Sequence, residues 1–409
     1  MPKQRSTPAA NDGKRVRLPF EVWALVAGGF TVALGYGVVA PAIPQFALEF
    51  KVSNFAASAI VSAFALMRLV GAPLAGWVVG KFGERATYTT GILIVAASTG
   101  AAAFALNYPQ FLILRGLGGL GSAMFSIAAT ALLVEASPPQ GRARVASVNA
   151  AGFLLGGLLG PVLGGIVAGF GIRAPFVFYF FTLVAAATVV TIALRSKHAL
   201  PRVAPGSRPA GEEMRLPEAL RLPTYRSLLL STFAFGWTSF GVRVSLIPIF
   251  VAVVFAGDAP TAAWVLAAYA AGNALFIFPS GRWSDTVGRT PLLVTGFLVL
   301  AAAFLAFPFA GSLLIAMAIM VVAGVGSALA NPGHQAVLAD VLGNRRGGMV
   351  VSTYSMVTDL GGVLGPLIAG AIVDLAGFGW AFGLTAALLT AAALGWIATA
   401  KQTAALSKA

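Results

Sequence analysis

A chain of 409 residues without one cysteine forms no disulfide, holds no metal through thiolate and runs no thiol redox chemistry. Two histidines, His198 and His334, are too few for a nitrogen-ligated zinc site of the common kind, so neither a metal nor a cofactor is expected. Charge is equally scarce. Only 10% of the residues are charged and 13 are acidic, whereas soluble domains carry about 25% charged residues. Such a chain cannot cover itself with a wetted surface. With 58% hydrophobic residues and a mean hydropathy of +0.88, most of its outside must face lipid.

What is present is long apolar runs. Breaks in apolarity divide the chain into twelve spans near 20–44, 55–79, 86–106, 110–134, 145–169, 174–194, 227–256, 262–280, 290–309, 312–337, 349–373 and 377–399. Each is about as long as the ~20 residues that cross a ~30 Å hydrocarbon core. The first run is longer than the core of a cleavable leader and lacks a clear small-residue cleavage site, so it reads as a span. The net charge of +14 comes from basic residues on one side of these spans. The amino-terminal segment, alternate short loops, a central linker and the carboxy-terminal tail hold twenty-two of the 27 Lys and Arg, and the opposite loops hold only Lys51 and Arg173. That bias sets both termini in the cytoplasm of a multi-pass protein of the cell (inner) membrane. The basicity is a topology signal, and no nucleic-acid partner is expected.

The chain also repeats itself. "GGLLGPVLGG" from Gly156 to Gly165 returns as "GGVLGPLIAG" from Gly361 to Gly370, 205 positions later. The same offset relates Gly76 to Gly281, Gly83 to Gly288, Thr90-Gly91 to Thr295-Gly296, and Gly121-Ser122-Ala123 to Gly326-Ser327-Ala328. One register held this far means two homologous halves of six spans, related by an axis along the membrane normal. The expected divisions are an amino-terminal segment 1–19, a first bundle 20–195, a cytoplasmic linker 196–226, a second bundle 227–400 and a tail 401–409.

At this point the residues resemble a family, the major facilitator superfamily, and within it the drug:proton antiporter branch. The loop "GWVVGKFGERA" (Gly76 to Ala86) and its copy "GRWSDTVGRTP" (Gly281 to Pro291) are similar to the family's signature loop. "RGLGGLG" (Arg115 to Gly121) is similar to the branch's fourth-span motif, and the phrase at Gly156 to its antiporter motif. "LGYGVVAPAIP" in span 1 also looks like this branch. The first signature loop departs from the family, with Gly80 where the aspartate stands and Glu84 where a basic residue is usual; the second keeps Asp285 and Arg289. The resemblance implies an all-α integral membrane fold of twelve helices in two pseudo-symmetric six-helix bundles. It further implies a cytoplasmic latch in which Arg289 pairs with Asp340 and Arg85 with Glu135, beside Gly76 and Asp285. The antiporter motif comprises Gly152, Gly156, Gly160, Pro161, Gly164 and Gly165. Four of these glycines recur every four residues on one helix face. That smooth stripe suits either rocking against the other half or ordinary tight packing. "GLGGLG" at 116–121 meets a dinucleotide spacing but lies inside a span, with no strand before it.

A charge at the bilayer centre costs ~2.5–3.5 kcal/mol on insertion scales, so intramembrane charges are functional candidates. Arg68, Arg115, Arg243 and Asp359 lie well inside spans, and Asp374 near a non-cytoplasmic end. Counted from the cytoplasmic ends at ~1.5 Å per residue, Arg68 and Asp359 are about 18 and 15 Å deep. The resemblance implies that spans 2 and 11 face each other across the interface between halves, so the two are expected to pair, either as a switch loosened by protonation of Asp359 or as a static bridge. By resemblance Arg115 affects proton coupling, or it binds an anionic group. Arg243 faces the central cavity or an undetected partner. His334, after an Asn-Pro-Gly break, either titrates near neutral pH or packs. Tyr36, Trp237, Arg243, Tyr269, Asn273 and Asn331 are expected as cavity walls.

Three arginines against one aspartate favour neutral or anionic cargo over strong cations. No GxxxxGK[ST] loop occurs, so the chain carries no ATPase of its own, and no catalytic arrangement points to an enzyme. The reading is a monomeric, proton-driven exporter of small amphipathic compounds working by alternating access. An exporter or flippase of a metabolite, sugar or lipid, and a transport-inactive receptor or membrane enzyme, are the alternatives.

Overall fold

The computed structural model describes residues 18–137, 142–194, 214–343, 345 and 347–406, and of Arg142, Ala143, Asp285 and Leu406 the backbone alone. Most of the expected linker, 196–213, therefore lies outside the described residues, as do 1–17, Arg346 and 407–409. No strand occurs among the described residues. The first half contains α1 (Phe20–Val39), α2 (Ala42–Glu49), α3 (Asn54–Phe82), α4 (Glu84–Ala102), α5 (Tyr108–Ala136), α6 (Arg142–Ala168) and α7 (Ala174–Leu194). The short α8 (Leu216–Arg221) leads into the second half, with α9 (Pro223–Phe235), a π-helical turn (Gly236–Val242), α10 (Arg243–Val254), α11 (Ala259–Thr286), α12 (Arg289–Ala306), α13 (Leu313–Leu342), α14 (Gly348–Ala376) and α15 (Phe378–Leu406).

Twelve crossings result, because Pro41 interrupts the first one between α1 and α2, where a proline lacks the amide a helix interior needs. The seventh crossing is α9, the π turn and α10 in one rod. Eleven rods are long and apolar enough to cross a membrane. The twelfth, α4, has 19 residues, about 28 Å of helix at ~1.5 Å per residue. Two apolar clusters form, one wholly in the second half and one in the first half that also takes in Val244, Ile249 and Ala259 of the second; both ends of the described chain lie on one face, called here the terminal face, and the other is the far face.

The duplication extends to the backbone. Ser53 and Asp258 cap α3 and α11, and Asn107 and Ser312 cap α5 and α13, each through a side-chain oxygen that accepts an amide of the first turn. Such caps satisfy amides that have no partner within the helix. Both pairs obey the 205-residue offset. So do Lys51 (φ 56°) and Ala256 (φ 48°), two non-glycine residues in the left-handed region just ahead of the first pair of caps. Gly83 (φ 82°) and Gly288 (φ 101°) open α4 and α12 at equivalent points, where a side chain would be strained. The repeated Thr-Gly and Gly-Ser-Ala phrases meet one another. A Cβ on Gly91 would lie 2.8 Å from the Gly121 carbonyl oxygen, and one on Gly296 2.7 Å from that of Gly326.

The glycine stripe of α6 does not face the other half. A Cβ on Gly156 would sit 2.5 Å from the Phe30 oxygen, on Gly160 2.6 Å from Gly37 Cα, and on Gly164 2.9 Å from the Val38 oxygen. Gly152 likewise abuts Val26. All four partners belong to α1 of the same bundle. Of the two readings of the stripe, sliding against the second half is overturned and tight packing is what the structure shows: the stripe lets two backbones of one half touch. Only Gly165 looks across, with its Cβ position 3.2 Å from the Trp264 ring of α11.

Candidate functional site

The halves meet along α3 with α14 and α6 with α11, and their polar contacts are graded by depth. At the far face, Gln45 Nε2 donates to the Pro248 and Asp258 carbonyls of the other half at 3.2 and 3.3 Å. The Asp374 carboxylate, at the end of α14, caps the start of α3. It accepts from the backbone amides of Asn54 (3.1 Å) and Phe55 (2.8 Å) and from Asn54 Nδ2 (2.8 Å). A negative charge on the exposed amides of a helix N-terminus is favourable. One step deeper, Ser62 Oγ donates to the Val363 carbonyl at 2.7 Å. The last polar contact toward the terminal face is Arg68 Nη2 to Asp359 Oδ1 at 3.5 Å. Beyond it no hydrogen bond or ion pair joins the halves among the described residues. The polar contacts across the seam thus gather from the far face down to the depth of the Arg68–Asp359 pair.

Between the halves lies a cavity of about 360 Å³, within the size range of small-molecule sites. Its charged lining is Arg68, Arg243 and Asp359; the rest is chiefly apolar and aromatic, with Tyr36, Phe64, Phe125, Phe153, Tyr179 and Phe240 on its walls. The Arg68 and Asp359 side chains are 44% and 29% exposed, so water reaches a pair that also spans the seam. Arg243 is held differently. Its Nε and Nη2 both donate to the Ser239 carbonyl, at 3.1 and 2.9 Å, and its guanidinium lies 4.3 Å from the centre of the Tyr269 ring. Ser239 sits in the π turn, a helix irregularity frequent at functional sites.

Of the six residues expected on the walls, only Tyr36 and Arg243 line the cavity, joined there by Arg68 and Asp359 of the expected ion pair and by Pro161 of the antiporter motif. Tyr269 stands behind Arg243 as its support. The others are elsewhere. Trp237 is buried with Nε1 donating to Thr385 Oγ1 at 3.0 Å. Asn273 Nδ2 bonds the Gly324 carbonyl at 3.4 Å, and Asn331 is exposed on α13. These three are corrected from cavity walls to packing or surface positions. His334 is buried, with Nε2 3.1 Å from Ser231 Oγ and Phe235 and Phe297 against its ring. It does not reach the cavity. Arg115 is 2% exposed, its guanidinium 4.8 Å from the centre of the Phe64 ring and its Nε without a hydrogen-bond partner. Phe64, Phe153, Tyr179 and Phe240 escaped sequence reasoning, because aromatic residues in apolar rods carry no mark of the side they face.

The latch residues behave unequally. Arg289 forms an ion pair with Asp340 and donates to the Ala336 carbonyl at 2.9 Å. Arg85 instead donates to the Leu194 carbonyl at 2.7 Å and makes no ion pair with Glu135, correcting that expectation. The last carbonyls of α7 lack partners within the helix and attract a cation. Gly76 has open space where a Cβ would stand, and the Asp285 side chain lies outside the described residues. On the same face Arg345 bonds Glu218 of α8 at 2.6 Å. That hydrogen bond holds the Glu218 carboxyl below the usual glutamate range.

Comparison with known proteins agrees with this architecture. The sequence profile of the Major Facilitator Superfamily matches residues 25–255 and again 228–408. The chain belongs to the Major Facilitator Superfamily. It is therefore a multi-pass membrane transporter, and the double match mirrors its two halves. It is 26% identical over 365 residues to Multidrug resistance protein 2 of Bacillus subtilis, covering 86% of this chain and 88% of that one. It is 23% identical over 364 residues to Quinolone resistance protein NorA of Staphylococcus aureus, covering 87% and 90%. Among solved structures, a bacterial homologue of the human lysosomal transporter Spinster superposes with a TM-score of 0.72 at 19% identity, covering 95% of this chain and 96% of that one. A D-xylose–proton symporter superposes at 0.70 and 18% identity, covering 92% and 96%. These two likenesses show the fold.

Proposed function

We propose that this transporter exports small amphipathic compounds in exchange for protons, as a multidrug-type antiporter of the cell membrane that works as a monomer. The observation that carries the reading is the Arg68–Asp359 pair, which joins the two halves at the cavity wall. An exchanger must not rock when empty. With Asp359 ionised, the pair holds α3 against α14 and the empty protein stays open at the terminal face. A proton on Asp359 removes its charge and frees the seam. A bound substrate that competes for Arg68 does the same, so the halves move loaded with either proton or substrate.

The basic asymmetry of the loops sets the terminal face in the cytoplasm, so the open cavity collects cargo from the cytoplasm and the cytoplasmic leaflet. The relatives named for multidrug and quinolone resistance support an export role. Three intramembrane arginines against one aspartate favour neutral or anionic cargo, while the aromatic walls require an apolar body.

The test is Asp359→Asn in liposomes. Wild type is expected to accumulate tracer under an imposed pH gradient. The variant is expected to lose that accumulation while keeping substrate counterflow without a gradient. Full gradient-driven accumulation by the variant would overturn the role of Asp359.

A further inference from the structure

The net positive character of the cavity resolves onto one side chain. Arg68 has Asp359 as its counter-ion. Arg115 is buried against the Phe64 ring and is not among the lining residues. Arg243 lines the cavity and has no carboxylate partner among the described residues. A guanidinium offers five N–H donors in a planar fork. Two of those on Arg243 go to a single carbonyl, that of Ser239, which leaves both Nη1 hydrogens and one on Nη2. Tyr269, buried behind the cavity, presents its ring to the guanidinium. The charge is thereby held in place by groups that do not neutralise it.

Resting on the export reading above, we infer that Arg243 is the anion-recognition residue of this cavity, and that the preferred cargo is an amphipathic monoanion. Its carboxylate or sulfonate sits on the free edge of the Arg243 fork and its apolar body lies among Phe64, Phe153 and Phe240. The chemistry follows from the lining. A planar fork matches a planar carboxylate in two parallel hydrogen bonds, and a ligand anion supplies the counter-charge that the protein withholds. A cationic head of the same shape would meet Arg243 with like charge and leave the fork unsatisfied. The π turn contributes by aiming the Ser239 carbonyl at Arg243, which fixes the fork before any ligand arrives.

The test uses the full chain in detergent and three probes on one hexylphenyl body, 4-hexylbenzoate, its planar neutral isostere 4-hexylbenzamide, and the cation 4-hexylbenzylammonium, with binding measured by equilibrium dialysis. Wild type is expected to bind the benzoate at least ten-fold more tightly than the amide, and the ammonium most weakly. Arg243→Gln is expected to bring the benzoate down to the amide without weakening the amide, which also shows that the variant is folded. Arg243→Lys is expected to restore part of the preference. Equal binding of benzoate and amide by wild type, or a benzoate preference unchanged in Arg243→Gln, would overturn the assignment. Absence of proton-driven transport in liposomes, with the benzoate preference intact, would instead defeat the export reading and leave this site standing.

Discussion

At the scale of single residues, the two signature loops have diverged in what their arginines do. Arg289 carries both an ion pair to Asp340 and a bond to the Ala336 carbonyl, so removing it strands an acid that is largely buried. Arg289→Ala is expected to destabilise the second bundle by about 1–3 kcal/mol, read as a lower Tm in detergent. Arg85→Ala, which loses one bond to a helix-end carbonyl, is expected to lower it by less. Equal losses would mean that the Asp340 pair contributes nothing. The Arg68–Asp359 pairing was legible because depth along a helix can be counted from its ends and the family resemblance sets spans 2 and 11 face to face. The positions of Trp237, Asn273 and His334 were not legible. A polar atom inside a span must find a partner, and a neighbouring helix serves as well as a cavity does. The Arg85–Glu135 pairing failed for a similar reason, since the carbonyls ending α7 compete for the same guanidinium.

At the scale of elements, the glycine phrase shows what a repeat can and cannot reveal. Its recurrence at a fixed offset exposed the two halves, and the equivalent caps, left-handed residues and glycine crossings follow the same offset. Which helix each glycine faces was not written in the pattern, because rods that are apolar all round have no polar side to orient them. Gly160 meets the backbone of Gly37, whereas Gly157, three residues earlier on the cavity side, has open space. Gly160→Ala is therefore expected to overpack α1 against α6 at a cost of about 1–3 kcal/mol, with Tm falling by several degrees, while Gly157→Ala leaves Tm unchanged. A harmless Gly160→Ala would contradict the backbone contact.

The short helix α8 makes a prediction of its own. The Arg345 hydrogen bond lowers the Glu218 carboxyl below its ordinary value. A lowered acid contributes its stability above the unfolded glutamate value of about 4.3 and loses it as the pH falls through the lower folded value. Amide hydrogen exchange over 216–221, corrected for the intrinsic pH dependence, is expected to stay slow down to that range and to rise below it. In Glu218→Gln it should be fast and independent of pH throughout.

At the scale of the whole molecule, two bundles touch at the far face and along the seam as deep as the Arg68–Asp359 pair. The far side is joined by polar contacts, Gln45 on two carbonyls and Asp374 on the first amides of α3, and by apolar ones, with Val244, Ile249 and Ala259 buried among first-half residues. In the cycle proposed above, the Arg68–Asp359 pair is the element whose protonation releases the seam. Because the chain has no cysteine of its own, spin labels can be introduced without background. We would place one pair at Phe82 and Met349 on the terminal face, and another at Leu106 and Phe309 on the far face, all exposed. Distances between the labels, taken at pH 8.5 without substrate, test the account most directly. Wild type is expected to show one long terminal-face distance and one short far-face distance. Asp359→Asn is expected to add a second population with the terminal pair shortened and the far pair lengthened. Distributions in Asp359→Asn that match those of wild type at both faces would contradict it.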